Sequence, residues 1–204
     1  MKGNTWNIYS WRVDVEFEFR ERKAVQAADY LLRLGKGKMS YMKLIKLLYL
    51  ADRKSLVETG VPITGDRMFS MDNGPVLSRI YDAIKGQARE MTIWREYISP
   101  PDGYEVAVRS DRPPPQSLTA YDELSRYDIR VLTDTHLKYA RCSKWDLVEI
   151  LHRELPEWKR PHGSSTRIDP AEILKAAGKT QAEIQRIAKD AEASIAFASA
   201  RGQA

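Results

Sequence analysis

Between Leu44 and Ala51 the chain reads LIKLLYLA, and Leu44, Ile45, Leu47, Leu48, Leu50 and Ala51 cover nearly the whole circumference of a helix. A helix that is apolar on almost every side has to be surrounded, so the remaining elements must be arranged around this one. The expected helix starts at Ser40, a suitable N-cap, and runs to about Thr59, where Gly60 and Pro62 end it. Pro62-Ile63-Thr64-Gly65-Asp66 then reads as a turn, and Arg67 to Met71 as a short strand. Asn73-Gly74-Pro75 follows, with Pro75 placed to open a second helix that carries Val76, Leu77, Ile80, Tyr81 and Ile84 on one side. The residue types in this stretch are those of a scaffold.

The chain of 204 residues, 43% of them hydrophobic, has enough apolar material for one full core and little more. Its 33 basic and 28 acidic side chains leave a net charge of +5, a bias toward acidic partners that does not by itself make a nucleic-acid binder. A single cysteine, Cys142, excludes an internal disulfide framework and a cysteine-rich zinc site. There is no apolar run near the roughly 20 residues that span a bilayer and no signal-peptide pattern, so a cytoplasmic protein with no membrane partner is expected.

From Trp11 to Phe19 the residues Trp11, Val13, Val15, Phe17 and Phe19 alternate with Arg12, Asp14, Glu16 and Glu18, the period of a half-buried strand. Such a strand either pairs within the chain or adds to the edge of a partner. Ala24, Ala27, Ala28, Leu31 and Leu32 fall at helical spacing ahead of Gly35 and Gly37, which makes an antiparallel partner for the central helix. Residues 92–98 and 104–109 flank Ser99-Pro100-Pro101-Asp102-Gly103 and read as a hairpin, followed by a stiff Pro113-Pro114-Pro115 connector. The second half is helical: Ser117 is expected to cap a helix through Leu137, Ser143 and Asp146 form a capping box, Asp169-Pro170 starts another helix, and Thr180 and Glu183 start the last. The fold class expected is α+β, mainly α, with a small antiparallel β-sheet. Its parts are an N-terminal strand extension over residues 1–20 and a helical domain over 21–204, with helices across 170–200 packed on it.

The chemical inventory is sparse. His136, His152 and His162 are the neutral-pH bases, and no two sit at the i, i+4 spacing of a helical metal site, so neither metal nor cofactor is expected. His152-x-Glu154 lacks the paired cysteines of a zinc deaminase, and phosphate-loop, dinucleotide and nucleophile-elbow patterns are absent. Lys36, Lys38, Lys43, Lys46, Arg53 and Lys54 suggest a positive strip along the central helix, either a solvated rim or a docking surface for an acidic protein or RNA.

The ordered motifs KLIKLLYLADR, GVPITGDR, NGPV and YDAIKG, with LHRELPEWK and IDPAEILKAAGK downstream, make the region from about Lys23 to Ile187 similar to the Panacea domain. This is the SocA-like or GepA-like domain of phage-associated proteins and antitoxins. The resemblance implies an antitoxin that neutralises a cognate toxin, encoded by the adjacent gene, through direct contact, and it implies no enzyme. It also leaves open an adaptor route in which the partner is delivered to a protease. By the same resemblance Asp52, Arg53, Thr64, Gly65, Asp66, Arg67, Asn73, Gly74 and Pro75 build the domain. Partner choice is expected from Trp11, Val13, Val15, Phe17, Phe19, Lys43 and Lys46. A nucleic-acid-binding regulator and an enzyme using His152, Glu154 or Cys142 stand as less favoured alternatives.

Overall fold

The computed structural model describes residues 13–88 and 91–201. In chain order the elements are α1 (Glu21–Leu34), β1 (Lys38–Ser40), α2 (Tyr41–Thr59), β2 (Met68–Met71), β3 (Gly74–Leu77), α3 (Ser78–Ile84), α4 (Thr92–Tyr97), β4 (Glu105–Ala107), α5 (Arg126–Lys138), α6 (Lys144–Glu154), β5 (Thr166–Ile168), α7 (Pro170–Ala176) and α8 (Gln181–Arg201). The fold is α+β and mainly α, with two small antiparallel sheets, β1-β4 and β3-β2-β5. Helix α2 lies at the centre: Leu44, Ile45, Leu47, Leu48, Tyr49, Ala51 and Leu56 are fully buried, and α1, α5, α6, α7 and β3 pack around it. The near-continuous apolar surface of α2 accounts for that placement, since each side of the helix needs a cover.

The ends of α1 and α2 follow the glycines. Gly37, at φ 88°, returns its N–H to Leu32 O at 2.8 Å, and Gly60, at φ 80°, returns its own to Leu56 O at 2.9 Å. Ser40 precedes α2 as expected, but its hydroxyl makes no cap bond; the orphan Tyr41 N–H donates instead to Tyr104 O at 2.9 Å. The capping boxes at Ser143 with Asp146 and at Thr180 with Glu183 form, as does the Asp169 cap ahead of Pro170. For α5 the cap is Ser125, paired with Asp128; Ser117 opens only a 3-10 turn at Leu118–Ala120.

Several expectations are corrected. Residues 13–19 are extended but pair with no strand, while their alternation survives as burial: Val15 is fully buried, Val13, Phe17 and Phe19 pack against the core, and Asp14, Glu16 and Glu18 face water. Trp11 lies outside the described residues. The hairpin over 92–109 survives as two isolated bridges: Ile98 bridges Val108, with Ser99 N–H donating to Ala107 O at 2.9 Å, and Asp102 bridges Glu105 at the tip. Its first arm is helix α4, because Trp94 is buried and the Glu21 carboxylate accepts the Ile93 N–H at 2.9 Å; β4 pairs with β1. Pro75 sits in β3, not in a helix. It lies on the edge of its sheet, where a missing N–H is tolerated.

The extended segment 13–20 is held against the Pro62–Asp66 turn. Arg20 N–H donates to Thr64 O at 2.9 Å, and a Cβ on Gly65 would lie 2.0 Å from Glu18 O, at a φ of 72°. Only glycine allows that approach. Gly65→Ala is expected to lower unfolding free energy by about 3 kcal/mol or more in urea titration, through backbone strain plus displacement of the segment. Gly86→Ala has the same φ but open space around it, so it should cost only about 1 kcal/mol. Equal losses at the two positions would contradict the packing.

Candidate functional site

Lys46, Tyr49, Asp52 and Arg53 of α2 reach partners outside the helix, Tyr49 and Arg53 sharing one. Lys46, 2% exposed, donates through Nζ to Pro75 O at 2.7 Å. Burial lowers its ammonium to about 7. Tyr49 donates to Glu157 Oε1 at 2.9 Å, and Arg53 holds the same carboxylate bidentately at 2.6 and 3.2 Å. Glu157 is buried, and burial together with its charge pushes the Tyr49 hydroxyl well above its ordinary range. Asp52, fully buried, accepts the Thr64 N–H at 2.9 Å on Oδ1 and the Thr64 hydroxyl on Oδ2. Burial raises its carboxyl to about 7, against the opposing pull of these two bonds.

The Gly65-Asp66 turn carries the next link. Asp66 accepts N–H groups from Arg67 at 2.7 Å, Arg79 at 3.2 Å and Ile80 at 3.0 Å. It therefore caps α3, the helix Pro75 was expected to start. Burial pushes its carboxyl up, while these three donors pull it down.

Beside Lys46 lies a cavity of about 250 Å³, walled by Tyr41, Met42, Ile45, Met71, Val76 and Tyr81, with Asp72, Asn73 and Gly74 at its edge. Gly74, at φ 90°, leaves this space open: a Cβ there would stand 3.3 Å from Lys46 Nζ and 3.6 Å from His152 Nε2. His152 stacks on Trp158 at 3.7 Å between ring centroids, and Trp158 Nε1 donates to Met71 O at 3.0 Å. Burial first, then the charges of Arg160 and Lys46, lowers the His152 pKa. The imidazole packs flat on the indole, and Trp158 in turn holds the β2–β3 turn through Met71 O. Among the described residues no three His, Cys, Asp or Glu side chains gather as a metal set.

The expected residues thus fall into two groups. Asp52, Thr64, Gly65, Asp66, Gly74 and Pro75 are buried and hold the interior together; Arg53 is half-buried on Glu157, while Arg67 and Asn73 are exposed. Of the expected contact residues, Val15 is taken up by the core, Val13, Phe17 and Phe19 are half-buried, Lys43 donates to Ala140 O at 3.0 Å and Cys142 O at 2.7 Å, and Lys46 is buried. The positive strip along α2 is therefore not a free strip: Arg53 is paired with Glu157, and Lys54 with Asp134 at 3.2 Å. Glu157 and the His152–Trp158 stack were not singled out from sequence. Their signal was present in LHRELPEWK, where an acid sits between apolar positions, but nothing local names Arg53 as its partner.

A family model described as Antitoxin SocA-like, Panacea domain, matches residues 44–159, over half of the chain. The chain belongs to the antitoxin SocA-like family. The match opens at the first buried leucine of α2 and closes just past Glu157, so the SocA-like unit contains the Lys46–Pro75, Asp52–Thr64 and Arg53–Glu157 links complete. It is narrower than the Lys23–Ile187 resemblance and leaves out segment 13–20, α1, β5, α7 and α8. No curated protein and no solved structure matches the chain.

Two predictions follow from the buried charges. The Asp52 carboxyl is harder to ionise in the folded chain than at its ordinary 3.8, so the folded state holds the extra proton between about 4 and about 7, and stability falls as pH rises through that window. Asp52→Asn keeps both Thr64 contacts available and should give a shallower slope of unfolding free energy across pH 4 to 7 than the wild type. Separately, Glu157→Ala leaves the Tyr49 hydroxyl and the Arg53 guanidinium unpartnered and should cost about 3 kcal/mol. Arg53→Met added to it should recover part of that loss, and additive losses would show the pair is not coupled.

Proposed function

We propose that this chain is a cytoplasmic antitoxin that neutralises a cognate toxin, the product of a neighbouring gene, by direct protein contact. The observation that carries the reading is the family match, which names an antitoxin-like domain and spans the links from α2 to Pro75, Thr64 and Glu157. The destination of the ionisable groups supports it. Asp52, Asp66, Lys46, Arg53 and Glu157 each hold one element of the fold against another. Groups held this way are positioned to maintain a surface, and a function exercised through a surface is binding.

The family-motif residues are mostly interior, so partner recognition falls to exposed residues outside them. Such a division lets one interior carry different contact surfaces. No helix among the described residues is long and apolar enough to cross a membrane.

Co-expression tests the reading. The neighbouring gene alone is expected to arrest growth, and this chain is expected to restore it and to co-purify with the gene product. A neighbour that is harmless alone, or that stays toxic with this chain present in folded form, would sink the proposal.

A further inference from the structure

Six side chains from four parts of the chain form one connected surface beside the Lys46 cavity. Lys85 Nζ lies 4.4 Å from the Tyr41 ring centroid and 5.7 Å from that of Tyr81, and donates to Tyr41 Oη at 3.1 Å. Tyr41 stacks on Tyr104 with centroids 6.2 Å apart, and Lys144 Nζ lies 4.6 Å from the Tyr104 ring and 5.5 Å from the Trp145 ring. Tyr104 is 66% and Trp145 54% exposed, which puts two large aromatics in water on one face. Tyr41 and Tyr81 also wall the cavity, which makes ladder and cavity one continuous feature.

Charge adds to the aromatic character of this face. Lys23, Lys38, Lys54, Lys159 and Lys179 each pair with a carboxylate. Lys85 and Lys144, on this face, meet a phenol and ring faces instead. Two cations thus stand beside exposed tryptophan and tyrosine, residue types that dominate binding energy at protein interfaces.

From this we infer that the Tyr81–Lys85–Tyr41–Tyr104–Lys144–Trp145 surface docks an acidic segment of the partner protein, with one apolar side chain of that segment entering the Lys46 cavity. The inference rests on the antitoxin reading and deepens it by naming the surface and the chemistry of the partner. At about 250 Å³ the cavity is smaller than the roughly 300–1,000 Å³ of small-molecule sites and suits a single side chain. Its aliphatic and aromatic walls, Met42, Ile45, Met71 and Val76 with the two tyrosines, favour an apolar one. The lysines above would meet the flanking carboxylates, steering the encounter and fixing its register. A nucleic-acid strand fits less well. Lys85 and Lys144 already lie over the ring faces that bases would stack on.

The test uses the full chain with two probes: the neighbouring gene product, and a short fluorescein-labelled peptide alternating Glu with Leu and Phe. A Lys-for-Glu version of that peptide and a single-stranded oligouridylate serve as comparisons. Lys85→Glu combined with Lys144→Glu, and separately Trp145→Ala, should fold with unchanged circular dichroism and Tm, since these side chains lie at the surface. Each is expected to weaken binding of the gene product about tenfold or more, the double charge reversal mainly through a slower on-rate. Lys189→Glu, on exposed α8, should leave it unchanged. Full affinity of both ladder variants for the gene product overturns the surface while leaving the antitoxin reading intact. If the gene product does not bind the wild type at all, the antitoxin reading falls, and the peptide decides the surface: preference for the acidic version, lost on charge reversal, upholds it, and equal binding removes it. Oligouridylate bound more tightly than either probe, and released by the same variants, would assign the face to RNA and overturn the proposal.

Discussion

Burial of α2 on nearly every side is the constraint from which the rest of the structure follows. A helix covered on nearly every side cannot leave an inward-facing polar side chain without a partner, because an unpaired buried donor or charge costs several kcal/mol. Lys46, Tyr49, Asp52 and Arg53 therefore oblige β3, the Gly65 turn and the chain around Glu157 to come to them. The apolar residues of α2 would accept many arrangements of neighbours; these four accept few. Specificity of the fold is thus carried by the polar minority of its most hydrophobic element.

A second dependence runs through caps supplied from a distance. Helix α3 is capped by Asp66, thirteen and fourteen residues before the N–H groups it receives, and α4 by Glu21, which lies at the start of α1. In contrast α5, α6, α7 and α8 are capped by the residue just ahead of them. The second half of the chain can begin its helices locally, whereas α3 and α4 need tertiary structure to start. The turn that bears Asp66 is itself closed over by segment 13–20 at Gly65, which makes that glycine a point where three pieces of chain meet.

The interior and the surface of this SocA-like protein are chemically separate. Asp52 and Lys46, both strongly shifted by burial, are joined to backbone and hydroxyl partners inside the body. On the face formed by the start of α2, the end of α3, the Tyr104 turn and the start of α6, exposed Tyr104 and Trp145 stand with Lys85 and Lys144. This arrangement suits a protein whose work is done by contact, because the surface residues can differ while the linked interior keeps them in place.

The sequence by itself determined the central helix, the glycine terminators at Gly37 and Gly60, three of the local caps, the mainly α class and the family, since each rests on periodicity or on a short motif whose partner lies within a turn or two. It also determined that Val13 to Phe19 would alternate between inside and outside. Whether that alternation belonged to a strand, whether Thr92 to Tyr97 was a hairpin arm or a helix, and where Pro75 would sit were decided only by the tertiary structure. In each case the outcome turned on a group far along the chain: Gly65 under Glu18, Glu21 at the start of α4, Asp66 in place of a proline start. The same holds for the candidate surfaces. Lysines adjacent in sequence on α2 differ completely in exposure and partner, and the ladder from Tyr81 to Trp145 exists only because α2, α3, the Tyr104 turn and α6 are brought together. Local chemistry sets which elements form, and the partners available after folding decide what each charge and each aromatic ring can do.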